Sequence, residues 1–272
     1  MDIGSVNCKI SGSATAYAWV TKNRQYRKRT VCFYLRKKIY NEKKKKRRIA
    51  MAGTIIFACP TLQKELIHAL KEAESRAVLY LLPDELHKSP VHLKSYLQEK
   101  IDSVLYADRV IICPSGCGGG TIGLRATHTE LVLPRTRDCL DILLSVDNLK
   151  DIKRPKHGVF FTESWAEYSK RSSIDVDKVI RSKGEEEGKA FLRKLYKGFE
   201  HFYIIDTGVY EIEPVREYLE KLRKILDGQI DIVPGKYGIL RKIAADDFDE
   251  DFLILKKGET VPESYFTLDR DL

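Results

Sequence analysis

From Thr54 onward, short apolar runs alternate with stretches whose apolar residues recur every three or four positions. Thr54-Ile-Ile-Phe-Ala58 is a continuous apolar run, as a strand buried on both faces requires. Leu62 to Ala73 follows, with Leu62, Leu66, Ile67 and Leu70 along one helical face. Ala77 to Leu82 reads as a second strand. Val91 to Leu105 reads as a second helix, with Leu93, Leu97, Ile101 and Val104 or Leu105 as its stripe. Arg109 to Cys113 and Glu130 to Leu133 are the third and fourth strands, and a helix is expected to start near Asp138. The second half repeats the alternation. Its strands are expected at Gly158–Phe161, Phe202–Ile205, Gln229–Val233 and Phe252–Leu255. An aromatic helix is expected around Trp165 and Tyr168, a solvated helix or loop over 171–189, and an amphipathic helix over Glu217–Leu226.

Strand–helix alternation of this kind specifies an α/β fold: a mostly parallel, Rossmann-like sheet with helices on both faces. Its recurrence allows two similar halves. Ile55-Ile-Phe-Ala-Cys-Pro60 and Val110-Ile-Ile-Cys-Pro114 look alike, but two strand ends of similar chemistry account for that without a true repeat.

Charge divides the chain. The net +9 of the 272 residues suggests a nucleic-acid partner until it is located. Residues 1–50 hold 15 Lys and Arg against Asp2 and Glu42, ending in the run Lys43–Arg48. The remainder holds 33 bases against 37 acids and is mildly acidic. The domain expectation is therefore a basic N-terminal segment over 1–50 and an α/β domain over 51–272. The segment reads as a disordered arm or as sequence ahead of a true start at Met51. A nucleic-acid-binding arm is the weakest of the functional readings, because the body is acidic. No apolar run reaches the ~18 residues of a membrane span, and no secretory signal is visible, so a cytoplasmic protein without a membrane partner is expected.

Six cysteines without an export signal point to metal binding or thiol chemistry before disulfides. Cys59 follows the first strand, Cys113 and Cys117 the third, and Cys139 the fourth. In a parallel sheet these strand ends share one edge, where open α/β sheets bind ligands. Each cysteine also lies near an expected helix N-terminus, which favours thiolate. Thiolates bind zinc or an iron–sulfur cluster, although Cys113-x3-Cys117 is not a common knuckle spacing and each thiol singly is as readily a small core residue.

The run Gly116 to Gly123 offers a second chemistry. Gly118, Gly119, Gly120 and Thr121 could present backbone N–H groups to an anion, helped by a helix starting after Thr121 and by Arg125 and Arg135. Cys117 would then be a nucleophile, with His128 as proton carrier or fourth metal ligand and Asp138 as base. The plainer alternatives are a tight turn for the glycines, a surface His128 and a helix N-cap for Asp138. The loop is neither a Walker loop nor a dinucleotide fingerprint.

Three blocks, Ile56-Phe-Ala-Cys-Pro-Thr-Leu62, Cys117-Gly-Gly-Gly-Thr-Ile-Gly-Leu124 and Leu131-Val-Leu-Pro-Arg-Thr-Arg-Asp-Cys139, resemble the signature of the family called domain of unknown function sixteen-thirty-eight. The resemblance runs from about Thr54 to Gly258. It implies an anaerobic one-carbon setting beside corrinoid-dependent methyltransferases, with Cys59, Cys117 and Cys139 as the family thiols. The family pattern has glycine where Pro60 stands, and Cys113 is a local variation. Three functional expectations follow. One is a zinc or iron–sulfur protein held by Cys59, Cys117 and Cys139 that serves a corrinoid methyltransferase system. Another is an enzyme with an anionic small-molecule ligand and no metal. The last is the basic-arm nucleic-acid binder.

Overall fold

The computed structural model describes residues 53–114, 116–145, 149, 152, 154–155, 157–199 and 201–265, together with two backbone strands at 5–9 and 15–19. The run Lys43–Arg48, with Asp2, Glu42 and Met51, lies outside the described residues. The strands Ser5–Lys9 (β1) and Thr15–Trp19 (β2) form an antiparallel hairpin in a stretch where the sequence shows no strand period.

The expected alternation is present. Strand β3 (Thr54–Ala58) leads through a 3-10 turn at Pro60–Leu62 into α1 (Gln63–Glu72), and β4 (Val78–Leu81) into α2 (Pro90–Ser103). Strands β5 (Arg109–Cys113) and β6 (Glu130–Pro134) follow, then α3 (Cys139–Leu144). A second run holds β7 (Gly158–Phe161), α4 (Glu163–Arg171), α5 (Val176–Lys183), α6 (Glu185–Leu195) and β8 (His201–Asp206). It continues through α7 (Ile212–Leu226), β9 (Gln229–Pro234), α8 (Gly238–Ala245) and β10 (Phe252–Leu255). The charged stretch 171–189 contributes two amphipathic helices, whose buried Val176, Val179 and Leu192 are diluted in sequence by charges on the exposed face. Helix α8 had no sequence-based expectation.

Two sheets result. The larger has the order β1-β2-β4-β3-β5-β6-β10, the smaller β7-β8-β9. Strands β4, β3, β5 and β6 run parallel, as do all three of the smaller sheet, whereas β10 is antiparallel to β6 and β2 to β4. Period-two alternation sorts the larger sheet's side chains onto two faces. Ile56, Ala58, Ile111, Cys113 and Val132 share a buried layer with residues of α1, α3 and α8. Phe57, Val110, Ile112, Leu131 and Leu133 pack with Leu93, Leu97 and Ile101 of α2. Phe202 and Ile204 of the smaller sheet meet α4 to α7, while Phe160 and Ile205 join the first layer and so fasten the two sheets together.

This topology fixes where a ligand can sit. The chain leaves β3 for β4 on one side and then crosses to β5 on the other. The connection after β3 runs toward β4 and that after β5 toward β6, so the loops beyond these two strands part and leave a crevice between them.

One buried charge marks the junction between the sheets. Glu65, in the first turn of α1, is fully buried, and its Oε1 accepts a hydrogen bond from Thr207 Oγ1 at 3.2 Å. Among the described residues its Oε2 has no hydrogen-bond partner. Burial raises its pKa from 4.5 to about 7, with the nearby Glu163 adding to the effect and Thr207 opposing it. The folded state holds the proton more tightly than the unfolded chain. The associated stability is therefore complete below pH 4.5 and is lost as pH rises through about 7. Urea titrations between pH 4 and 9 are expected to lose on the order of 2–3 kcal/mol to this group, and Glu65→Gln should flatten that loss. Equal pH slopes for both proteins would place the carboxyl in water.

Candidate functional site

The crevice holds a cavity of about 270 Å³. Its walls include Leu82, Pro83, Leu86, Pro90, Leu93, Pro114, Leu140 and Trp165, and its polar lining is Cys59, His87, Cys117, Asp138 and Cys139. The three expected thiols therefore share one enclosure, delivered by the segments after β3, β5 and β6. Among the described residues, neither Lys nor Arg lines it.

Cys59 stands directly after β3, where Pro60 opens the 3-10 turn that carries Thr61 back beneath it. Cys59 Sγ lies 2.8 Å from Thr61 Oγ1 and 2.6 Å from His87 Nε2. Thr61 Oγ1 also donates to Cys139 Sγ at 3.5 Å. One hydroxyl thus bridges two thiols from different strand ends, and an imidazole abuts the first. His87 comes from a 3-10 turn over Asp84–Lys88, after β4. Its ring contacts Trp165 edge-on, with centroids 5.7 Å apart, and Tyr168 at 4.9 Å. Burial lowers its pKa, so the neutral ring prevails at neutral pH.

The thiolate expectation is reversed at three of the cysteines. Cys139 does occupy the first turn of α3, but a hydrogen bond with Cys59, followed by burial, pushes its thiol well up. Burial also pushes Cys117 well up, and Cys113 to about 12. A six-residue helix offers too small a dipole to offset that desolvation. Cys113 sits in the core layer, as its exclusion from the family thiols implied.

The glycine loop is used differently from an anion cradle. The N–H groups of Gly116 and Cys117 donate to the carbonyls of Thr136 and Arg137, and those of Gly119, Gly120 and Ile122 to carbonyls within the loop. Gly123 donates to Val261. Gly118 and Gly119 take φ of 66° and 87°, which glycine adopts without strain. Thr121 is buried against Tyr265, with Oγ1 and the phenol oxygen 2.7 Å apart. The expected helix after Thr121 does not form; the chain turns toward the isolated bridge between Arg125 and Thr260.

Other expected residues fall outside the cavity. Arg125 is exposed, and Arg135 donates to the carbonyls of Phe252 and Tyr265. His128 is exposed just before β6, at the opposite edge of the sheet from the thiols. Asp138 caps α3, accepting from the N–H groups of Leu140 and Asp141, and pairs with Arg154 at 2.8 Å. It lines the cavity as an engaged carboxylate.

Sequence reasoning missed Thr61 and His87. The loop after the second strand reaches the same sheet edge as the cysteine loops, and that placement was the available signal for His87.

The model of the family described as "Protein of unknown function (DUF1638)" matches residues 81–244. The chain belongs to this family. The matched span contains His87, Cys117 and Cys139, while Cys59 precedes it. No curated protein and no solved structure matches the chain.

Among the described residues, no group of three or more His, Cys, Asp or Glu is arranged to hold a metal ion. No helix among them is long and apolar enough to cross a membrane.

The loop's packing gives a direct test. A methyl group at Gly120 would stand 2.9 Å from Leu93 Cδ2 and 3.2 Å from the Pro90 carbonyl oxygen. Gly120→Ala is expected to cost about 1–3 kcal/mol by overpacking, read as a lower urea midpoint. An unchanged midpoint would mean that the loop stands clear of α2.

Proposed function

We propose that this DUF1638 protein is a soft-donor protein, with Cys59, Cys117 and Cys139 taking up zinc or an iron–sulfur cluster and His87 as an additional donor. The observation that supports this most is the lining of one small cavity by three thiols and an imidazole from four separate loops. The donor set has the chemistry that zinc and iron–sulfur centres use. Burial opposes thiolate at Cys117 and Cys139, and a bound cation offsets that cost by exchanging metal for protons. In their present arrangement the groups bond to one another: a 2.6 Å contact between Cys59 and His87 is a hydrogen bond, not a pair of ligands around a common ion. Metal uptake in this proposal therefore separates that pair. When bound, the metal would supply Lewis acidity or electron transfer. The corrinoid methyl-transfer setting belongs to the same proposal and rests on the family resemblance alone.

Anaerobic purification followed by elemental analysis and absorption spectroscopy tests it. Stoichiometric zinc or iron is expected, falling at least tenfold in Cys59→Ser and Cys139→Ser. Metal-free protein whose three thiols alkylate freely sinks it.

The 2.6 Å contact favours a second reading, in which Cys59 is a nucleophile and His87 its base. Cys59, not Cys117, has a base at hydrogen-bond distance. On this reading the protein is metal-free, and iodoacetamide labels Cys59 faster than Cys139. His87→Ala should slow that labelling about 10²-fold or more. Labelling that ignores the substitution argues against it.

A further inference from the structure

We propose that Cys59 and Cys139 act as a dithiol that reduces small, uncharged disulfides, with Cys59 as the attacking sulfur and Cys139 as the resolving one. The inference goes beyond the soft-donor reading and needs no metal.

Three observations carry it. First, the two sulfurs share the Thr61 hydroxyl, at 2.8 Å from Cys59 Sγ and 3.5 Å from Cys139 Sγ. Residues 80 positions apart in the chain are held in contact by the strand ends of β3 and β6. Second, the two thiols differ in their neighbours. Cys59 has the His87 ring nitrogen at 2.6 Å to take its proton, in the tautomer that leaves Nε2 bare. Cys139 lies behind it on α3, reached through Thr61. That asymmetry is what an attacking and a resolving thiol require. Third, both line a cavity of about 270 Å³ whose other walls are largely apolar. A compact neutral disulfide suits that enclosure. A large, charged one such as an oxidised tripeptide thiol does not suit walls that are largely apolar.

The chemistry balances. His87 takes the Cys59 proton, and the thiolate attacks one sulfur of R–S–S–R. The S–S bond breaks, and the first R–S⁻ leaves with the proton returned from His87. Cys59 is now in a mixed disulfide. The Cys139 sulfur attacks Cys59 Sγ, a Cys59–Cys139 disulfide forms, and the second R–S⁻ leaves with the Cys139 proton. Two protein thiols are oxidised, and one disulfide is reduced to two thiols.

The test uses the full chain, reduced, treated with a chelator and then mixed with bis(2-hydroxyethyl) disulfide, with metal content measured on the same preparation before chelation. Intact mass is expected to fall by two hydrogens, and peptide mapping should find Cys59 joined to Cys139. Dithiothreitol should reverse the change. Cys139→Ser should stop at the mixed disulfide on Cys59, and Cys113→Ala should behave as the parent. Two results overturn the inference: a stable mixed disulfide on the parent protein, or thiols that stay inert after chelation. The parent protein alone decides between these, so a variant that fails to fold does not weaken the test. Stoichiometric metal with inert thiols removes this inference and leaves the soft-donor reading. Disulfide formation in protein that never held metal does the reverse.

Discussion

Parallel pairing of β4, β3, β5 and β6 is the constraint on which the rest of the molecule depends. Parallel strands need a crossover between each pair, and every strand then ends at the same edge. Residues that follow different strands become neighbours there, however distant in sequence. Cys59, His87, Cys117 and Cys139 each follow a different one of the four strands. Because the connections after β3 and β5 run in opposite directions along the sheet, that edge opens into a crevice instead of closing over.

The two faces of the larger sheet are filled unequally, and this sets the character of the site. The α2 face is closed by the glycine loop, which presses Gly120 against Pro90 and Leu93. The other face is shared with the smaller sheet, and α4 brings Trp165 to the cavity wall. Lys64 at the start of α1 pairs with Glu163 at 2.5 Å, and its N–H donates to Ser164. These contacts hold α4 against the segment that carries Cys59 and Thr61. The cavity is thus bounded by both halves of the chain, with Cys59 and Cys139 buried and Cys117 partly buried.

That enclosure explains the chemistry better than the individual residues do. A thiol near a helix N-terminus in water favours ionisation, whereas the same thiol in an apolar enclosure resists it. Burial wins at Cys117 and Cys139. A group that then draws these thiols out of their neutral state must supply positive charge or accept a proton, and His87 is the built-in acceptor beside Cys59. The N–H groups of Gly116, Cys117, Gly119, Gly120, Ile122 and Gly123 are engaged in bonds to backbone carbonyls, which give the loop its shape.

Much of this was legible in the sequence. Apolar runs and three-to-four periodicity are local properties, and they specified the α/β class and the strands from Thr54 onward without reference to partners. The shared edge of a parallel sheet then predicted that Cys59, Cys117 and Cys139 approach one another. Tertiary structure alone decided the remainder. His87 joins the thiols because a 3-10 turn after β4 sets its ring against Cys59, and single-turn geometry leaves no periodic trace. Thr61 bridges two sulfurs through distances no spacing encodes. His128, Arg125 and Arg135 fall away because proximity in sequence to a loop does not fix the edge of the sheet on which a residue lies. The ionisation of the thiols depends on how much water the second half of the chain excludes, which is a property of packing between distant segments.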